Sequence, residues 1–156
     1  MRTLRLFLGA VALLMTLGPT AFAEPRARCS VRSIAASRTP GSMDPQLADL
    51  QGQLTRSPFT EWKSFRLLAM HQVELMPGST SSFALPEERQ GMLIYKQHLL
   101  GEGGRHRVRL QLEVRKGSEV QLSTVFVLDE GGTVLTAGNK YGDGILILGV
   151  TCKTDS

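Results

Sequence analysis

The chain has 156 residues, 42% of them apolar, with 18 basic against 14 acidic side chains and a formal net charge of +4. Half of that surplus, Arg2 and Arg5, lies in an N-terminal segment that reads as removable, so the charge gives no reason to expect a nucleic-acid partner. What remains is enough for one domain of ordinary size with a real core.

The N-terminal segment reads as an export signal. Arg2 and Arg5 form a basic start, Leu6 to Leu17 an apolar stretch, and Ala21-Phe22-Ala23 a small-residue cleavage site. The apolar stretch is too short to span a bilayer, which takes roughly 20 residues. Residues 1–23 are therefore assigned to a signal peptide, residues 24–28 to a polar, flexible mature N-terminus, and residues 29–156 to a single domain. No other segment is long enough to cross a membrane, and the expected location is the periplasm or the cell exterior. In that oxidising setting the two cysteines, Cys29 and Cys152, are expected to form one disulfide joining the first element to the last.

In chain order, order begins at Cys29 with a β-like segment to Ala36. A loop follows, then Asp44-Pro45, a helix cap with proline at the first helical position. Leu47, Leu50 and Leu54 then give a short helix one apolar stripe. Phe59, Trp62 and Phe65 make the densest aromatic patch. Trp62 is a candidate ligand platform as well as a candidate core cap.

Beyond Trp62 the period changes to two. Phe65, Leu67, Ala69, His71, Val73 and Leu75 read as one face of a strand, and Pro77-Gly78 turns the chain into a second strand ending near Leu85. Met92 to Leu100 is a third, with Leu93, Tyr95 and Leu99 inward. Gly101 to Gly104 joins it to the cleanest alternation, with Val108, Leu110, Leu112 and Val114 inward and Arg107, Arg109, Gln111, Glu113 and Arg115 outward. Val120 to Leu128 and Thr133 to Ala137 follow, separated by Asp129 to Gly132. A Gly-rich loop, Gly138 to Gly144, then leads to Ile145 to Cys152, an apolar run that must be covered on both faces. The pattern is all-β: an antiparallel β-sandwich of about eight strands with one short N-terminal helix, a small β-barrel being the alternative.

No catalytic constellation is visible. The serines that follow glycine, Ser42, Ser79 and Ser118, lack the second glycine of a nucleophile elbow. His71, His98 and His106 have no metal-ligand spacing, although His98 and His106 flank the Gly101 hairpin and can approach across it. His71, on an apolar face, reads as a hydrogen-bonded core histidine. Gly101 to Arg105 lacks the lysine and the following helix of a phosphate loop. No catalytic residue, metal or cofactor is expected, and the candidate binding residues are Trp62, Arg107, Arg109, Lys140, Tyr141 and Asp143.

Several segments resemble small exported bacterial proteins of unknown function: Arg32 to Ser37, Glu61 to Phe65, Leu99 to Gly104 and Gly144 to Cys152. Phe126 to Leu135 is also similar to paired strands near the end of outer-membrane secretin domains, a likeness that implies no catalytic residue. The expected function is that of a non-catalytic binding module of the bacterial cell envelope, with a protein or polysaccharide partner. A hydrolase of an envelope polymer and a secreted protease inhibitor presenting Gly138 to Gly144 are the alternatives.

Overall fold

The computed structural model describes residues 24–155 and Gly18, so the export-signal assignment lies, but for Gly18, outside the described residues. Eight strands follow in order: β1 (Arg26–Ser37), β2 (Ser64–Leu75), β3 (Thr80–Leu85), β4 (Arg89–Leu100), β5 (His106–Lys116), β6 (Glu119–Asp129), β7 (Thr133–Tyr141) and β8 (Gly144–Asp155). They form two antiparallel four-stranded sheets, ordered β2-β1-β8-β7 and β3-β4-β5-β6. The expected β-sandwich is thus the fold. Its strand order is that of an up-and-down barrel opened along two seams, β2/β3 and β6/β7, which is why the strand pattern alone suited both architectures. No helix among the described residues is long and apolar enough to cross a membrane.

β1 and β8 are the two central strands of their sheet, and they pair from Arg26↔Asp155 to Ala36↔Ile145. Cys29 lies directly opposite Cys152, with 4.1 Å between their Cα atoms, and the two are joined by a disulfide. β1 starts at Arg26, earlier than the cysteine, and residues 24–28 are not a free tail: Ala27 is fully buried and the carbonyl of Pro25 accepts a hydrogen bond from Tyr95 Oη at 3.0 Å.

The strands of this sheet carry two cores. Towards the second sheet, Cys29, Val31, Leu146, Leu148, Val150 and Cys152 meet Leu93, Tyr95, Val108, Leu110, Leu112 and Val114. On the opposite face, Ile34, Ala36 and Ile147 pack under a short helical segment through Leu47, Leu50 and Leu54. The expected double cover of β8 is therefore present, each face buried for a different reason.

The helical segment is a 3-10 stretch, Pro45–Leu50, followed by one α-turn, α1 (Gln51–Leu54). Asp44 starts it as the sequence suggests: one carboxylate oxygen accepts from the Gln46 amide at 3.0 Å, and the other accepts from the Leu67 amide at 3.2 Å, tying the cap to β2. A second tie is electrostatic. Arg32, nearly buried on the outer face of β1, donates both guanidinium nitrogens to Asp49, each at 2.8 Å. Those bonds hold the Asp49 carboxyl below the ordinary carboxylate range, against a smaller opposing effect of burial.

Period-two reading goes astray where a bulge intervenes. The β1/β2 register slips between Ser33↔Ala69 and Ile34↔Leu67, leaving Leu68 as an extra residue. Phe65 and Leu67 consequently face the helical segment, whereas Leu68, Val73 and Leu75 face the other sheet. A run read as one face serves two cores. In β4 a slip between Tyr95 and Gln97 likewise takes Leu99 out of the line of Leu93 and Tyr95, and Leu99 joins neither core.

Replacing Leu148 with Asp places an unpaired charge where 2% of the side chain is accessible, and the cooperative thermal transition followed by circular dichroism should be lost. Replacing Asp49 with Ala leaves the Arg32 guanidinium unpaired and should lower stability to denaturant by about 1–2 kcal/mol. Because the folded Asp49 pKa is depressed, its contribution is whole above the ordinary value of 3.8 and is lost as the pH falls through the folded value. The Asp49→Ala protein should accordingly show a flatter acid limb than the wild type below pH 3.8.

Candidate functional site

Strand direction sorts the connections into two ends. At one end lie the β3–β4 and β7–β8 turns, the close of β1 and the start of β2. At the other lie Pro25, the β2–β3 and β6–β7 connections, and the β4–β5 turn at Glu102–Gly104.

A cleft of about 850 Å³ opens at the first end. β1 contributes Ala35 to Ser37 and β2 contributes Ser64 to Arg66, while Ser42 and Asp44 come from the chain leading into the helical segment. Pro86 and Glu87 of the β3–β4 turn, and Tyr141, Gly142 and Asp143 of the β7–β8 turn, complete the wall. Its polar groups are hydroxyls and carboxylates: Ser37, Ser42, Ser64 and Tyr141 beside Asp44, Glu87 and Asp143, with Arg66 the one cation. Ser37 Oγ donates to Asp143 Oδ2 at 3.4 Å, linking the end of β1 to the β7–β8 turn. Both strands can come together there because residue 144 is glycine. A Cβ at that position would stand 1.8 Å from the carbonyl oxygen of Ala36.

The β3–β4 turn is held in a conformation that its residues resist. Glu87 and Glu88 have φ of 59° and 58°, left-handed values at two consecutive non-glycine positions of the three-residue connection between Leu85 and Arg89. Arg89 fixes the turn from below. Its guanidinium pairs with Glu87 at 2.9 Å and, with only 8% of the side chain accessible, reaches across the β6/β7 seam. There Nε donates to Gln121 Oε1 at 2.8 Å and Nη2 to the carbonyl of Lys140 at 2.9 Å. One buried cation therefore ties both turns of the cleft to the sandwich.

The six candidate binding residues fall in separate places. Tyr141 and Asp143 line the cleft, and Lys140 is next to it, exposed, with its backbone held by Arg89. They do not sit on an extended loop. β7 runs through Tyr141 with a register slip at Gly138, so the segment read as Gly138 to Gly144 is strand closed by a two-residue turn. Trp62 is outside the lining. It packs against the helical core while Arg38, itself paired with Glu61 at 2.5 Å, covers the ring at 4.9 Å, so the ring is not an open platform. Arg107 is at the other end, donating to Asp129 Oδ1 at 2.6 Å beside a smaller cleft of about 340 Å³. Arg109 lies on the outer face of the second sheet and donates to Gln97 at 3.0 Å.

Phe126 to Leu135 is not a pair of hydrogen-bonded strands: β6 and β7 belong to different sheets, joined by an arch in which Gly132 N donates to the Asp129 carbonyl at 2.9 Å. His71 stacks on Phe83 with ring centroids 5.4 Å apart, and its Nε2 has no hydrogen-bond partner among the described residues, unlike the expected core histidine. Tyr95, fully buried between the sheets, has its phenol pushed above the usual range by burial and then by the charge of Glu24. Among the described residues no three His, Cys, Asp or Glu side chains stand close enough together to hold a metal ion.

Comparison of the chain with protein-family models, with curated proteins and with solved structures found no match.

Ser37, Ser42, Ser64, Arg66 and Glu87 of the lining, with Arg89 and Glu88 that hold its β3–β4 turn, are the site residues that sequence reasoning passed over. Glu87-Glu88 reads as an exposed charged connection, and nothing in its composition signals a left-handed turn. Replacing Glu88 with Gly should relieve that conformation and raise stability by about 0.5–1 kcal/mol, measured as a shift in the denaturation midpoint.

Proposed function

We propose that this protein is a non-catalytic binding module of the bacterial cell envelope, exported and disulfide-closed, which holds a polyhydroxylated polymer such as an envelope polysaccharide in the cleft between the β3–β4 and β7–β8 turns. The observation that carries this reading is the cleft itself. Its volume of about 850 Å³ is that of a small-molecule or oligomer-segment site, and its lining brings hydroxyls and carboxylates together with the half-buried Tyr141. Such a lining offers both donors and acceptors to sugar hydroxyls and an aromatic edge to a sugar face.

The support from the rest of the molecule is indirect and consistent. The turns are clamped by Arg89 and by the Ser37–Asp143 contact, so the lining is preformed rather than assembled on binding. The strained Glu87-Glu88 turn places Glu87 at the cleft wall, where its carboxylate pairs with Arg89. Export is supported by the N-terminal sequence and by the Cys29–Cys152 bridge, which suits an oxidising compartment.

Titration of the protein with soluble envelope glycan fragments, followed by amide chemical shifts, tests the reading. Saturable shifts should map to Ser37, Ser64, Tyr141 and Asp143. Tyr141→Ala and Asp143→Asn should each weaken binding roughly tenfold, about 1.4 kcal/mol, with Arg109→Ala unchanged. Absence of binding at millimolar glycan overturns the polysaccharide reading, and cleavage of the fragments overturns the non-catalytic one in favour of a hydrolase.

A further inference from the structure

The end of the sandwich opposite the cleft carries a pair of histidines that the binding function does not use. His98 is on β4, opposite Val108, and His106 opens β5, opposite Leu100, so the two are diagonal neighbours across the β4–β5 hairpin. His98 Nε2 and His106 Nδ1 stand 2.9 Å apart, with ring centroids 5.1 Å apart and planes inclined at 34°. Both side chains are partly exposed at the rim, within reach of solvent. In the neutral pair one nitrogen donates and the other accepts. The centroid separation nearly equals the nitrogen separation plus two ring radii, so the rings meet almost end to end, as a nitrogen-to-nitrogen hydrogen bond requires.

That spacing suits a metal ion. Imidazole nitrogens bind late divalent metals at about 2.0–2.1 Å, so two of them in adjacent coordination positions stand roughly 2.9–3.4 Å apart. The nitrogens already stand at this separation on two paired strands, which hold side chains more accurately than a loop does, and rotation of both rings about their side-chain bonds turns the lone pairs from each other towards a shared ion. No thiol competes, since among the described residues both cysteines are in the disulfide.

We propose that His98 and His106 form a two-imidazole site for a divalent transition metal, copper(II) in preference to nickel(II) or zinc(II). The preference follows from the general order of divalent affinities and from the fit of two adjacent nitrogens to a tetragonal field. No third protein ligand is at hand among the described residues, so the remaining positions fall to water or to a small exogenous ligand. The site is exchangeable rather than structural, and its affinity falls as the pH is lowered because its ligands must be deprotonated. It is independent of the cleft and of what the cleft binds.

Copper(II) added to the purified protein, carrying no histidine tag, tests the assignment by electron paramagnetic resonance near neutral pH. The expected result is saturation at one equivalent, hyperfine structure from two equatorial nitrogens, and broadening of the His98 and His106 imidazole resonances while those of His71 stay sharp. His98→Gln and His106→Gln should each weaken binding roughly 100-fold or more, because the second imidazole acts at high effective concentration. Their thermal melts should match the wild type. A spectrum with one nitrogen or none, or wild-type affinity in both variants, overturns the proposal, and the wild-type spectrum decides it even if a variant fails to fold.

Discussion

The antiparallel pairing of the first strand with the last is the constraint on which the rest of the molecule depends. β1 and β8 are the two inner strands of one sheet, and the Cys29–Cys152 bridge lies within their ladder rather than between sheets. The bridge joins residues 123 positions apart, so it removes far more freedom from the unfolded chain than a bond between neighbouring hairpin strands would. Everything between the two cysteines is a meander whose ends are fastened to each other. Because the first and last strands pair, the strand order becomes circular, and the two seams are the only places where neighbours in sequence are not neighbours in a ladder.

Each seam is managed by a different device. At β2/β3 the chain crosses from sheet to sheet through Met76 to Ser79, with Gly78 N donating to the Tyr95 carbonyl at 3.0 Å. At β6/β7 the arch is fastened to both sheets, through Glu130 N to the His106 carbonyl at 3.1 Å and Gly131 N to the Cys152 carbonyl at 2.8 Å. The far end of that seam is closed by Arg89, whose nearly buried charge is tolerable only because Glu87, Gln121 and the Lys140 carbonyl surround it. The residue that closes the seam also shapes the cleft, so the stability of the sandwich and the geometry of the candidate site share one side chain.

The two sheets differ in what covers their outer faces. The β2-β1-β8-β7 sheet buries Ile34, Ala36 and Ile147 under the helical segment, which Asp44 and the Arg32–Asp49 pair hold down. The β3-β4-β5-β6 sheet turns Arg109, Gln111 and Arg115 outward, paired respectively with Gln97, Ser123 and Glu113. The arginine stripe that stands out in the sequence is therefore largely spent on neighbours within its own sheet. The arrangement leaves the cleft end and the histidine end as the two places where polar groups converge on open space.

What the sequence by itself determined is the set of local choices. Alternation and turn residues located seven of the strands, Asp44-Pro45 the start of the helical segment, and the apolar run from Ile145 the eighth strand, covered on both sides. Two cysteines indicated one bridge, and His98 and His106 an approach across a hairpin. These follow from the period of side chains along a strand and from the chemistry of single residues, which operate within a few positions of the chain. Only the tertiary structure decided which face each side chain serves. The bulge at Leu68 reversed the alternation of β2, the slip beside Gly138 turned a Gly-rich loop into strand, and Arg89, unremarkable among 18 basic residues, became the buried tie across a seam. Such outcomes depend on register and, at Leu68 and Arg89, on partners more than thirty positions away, and a one-residue slip moves every later side chain to the other face. The candidate site was legible only in Tyr141, Asp143 and their neighbour Lys140. The remainder of its wall comes from β1, β2, the β3–β4 turn and the chain leading into the helical segment, brought to one end by a sheet in which β1 and β8, from the far ends of the chain, pair.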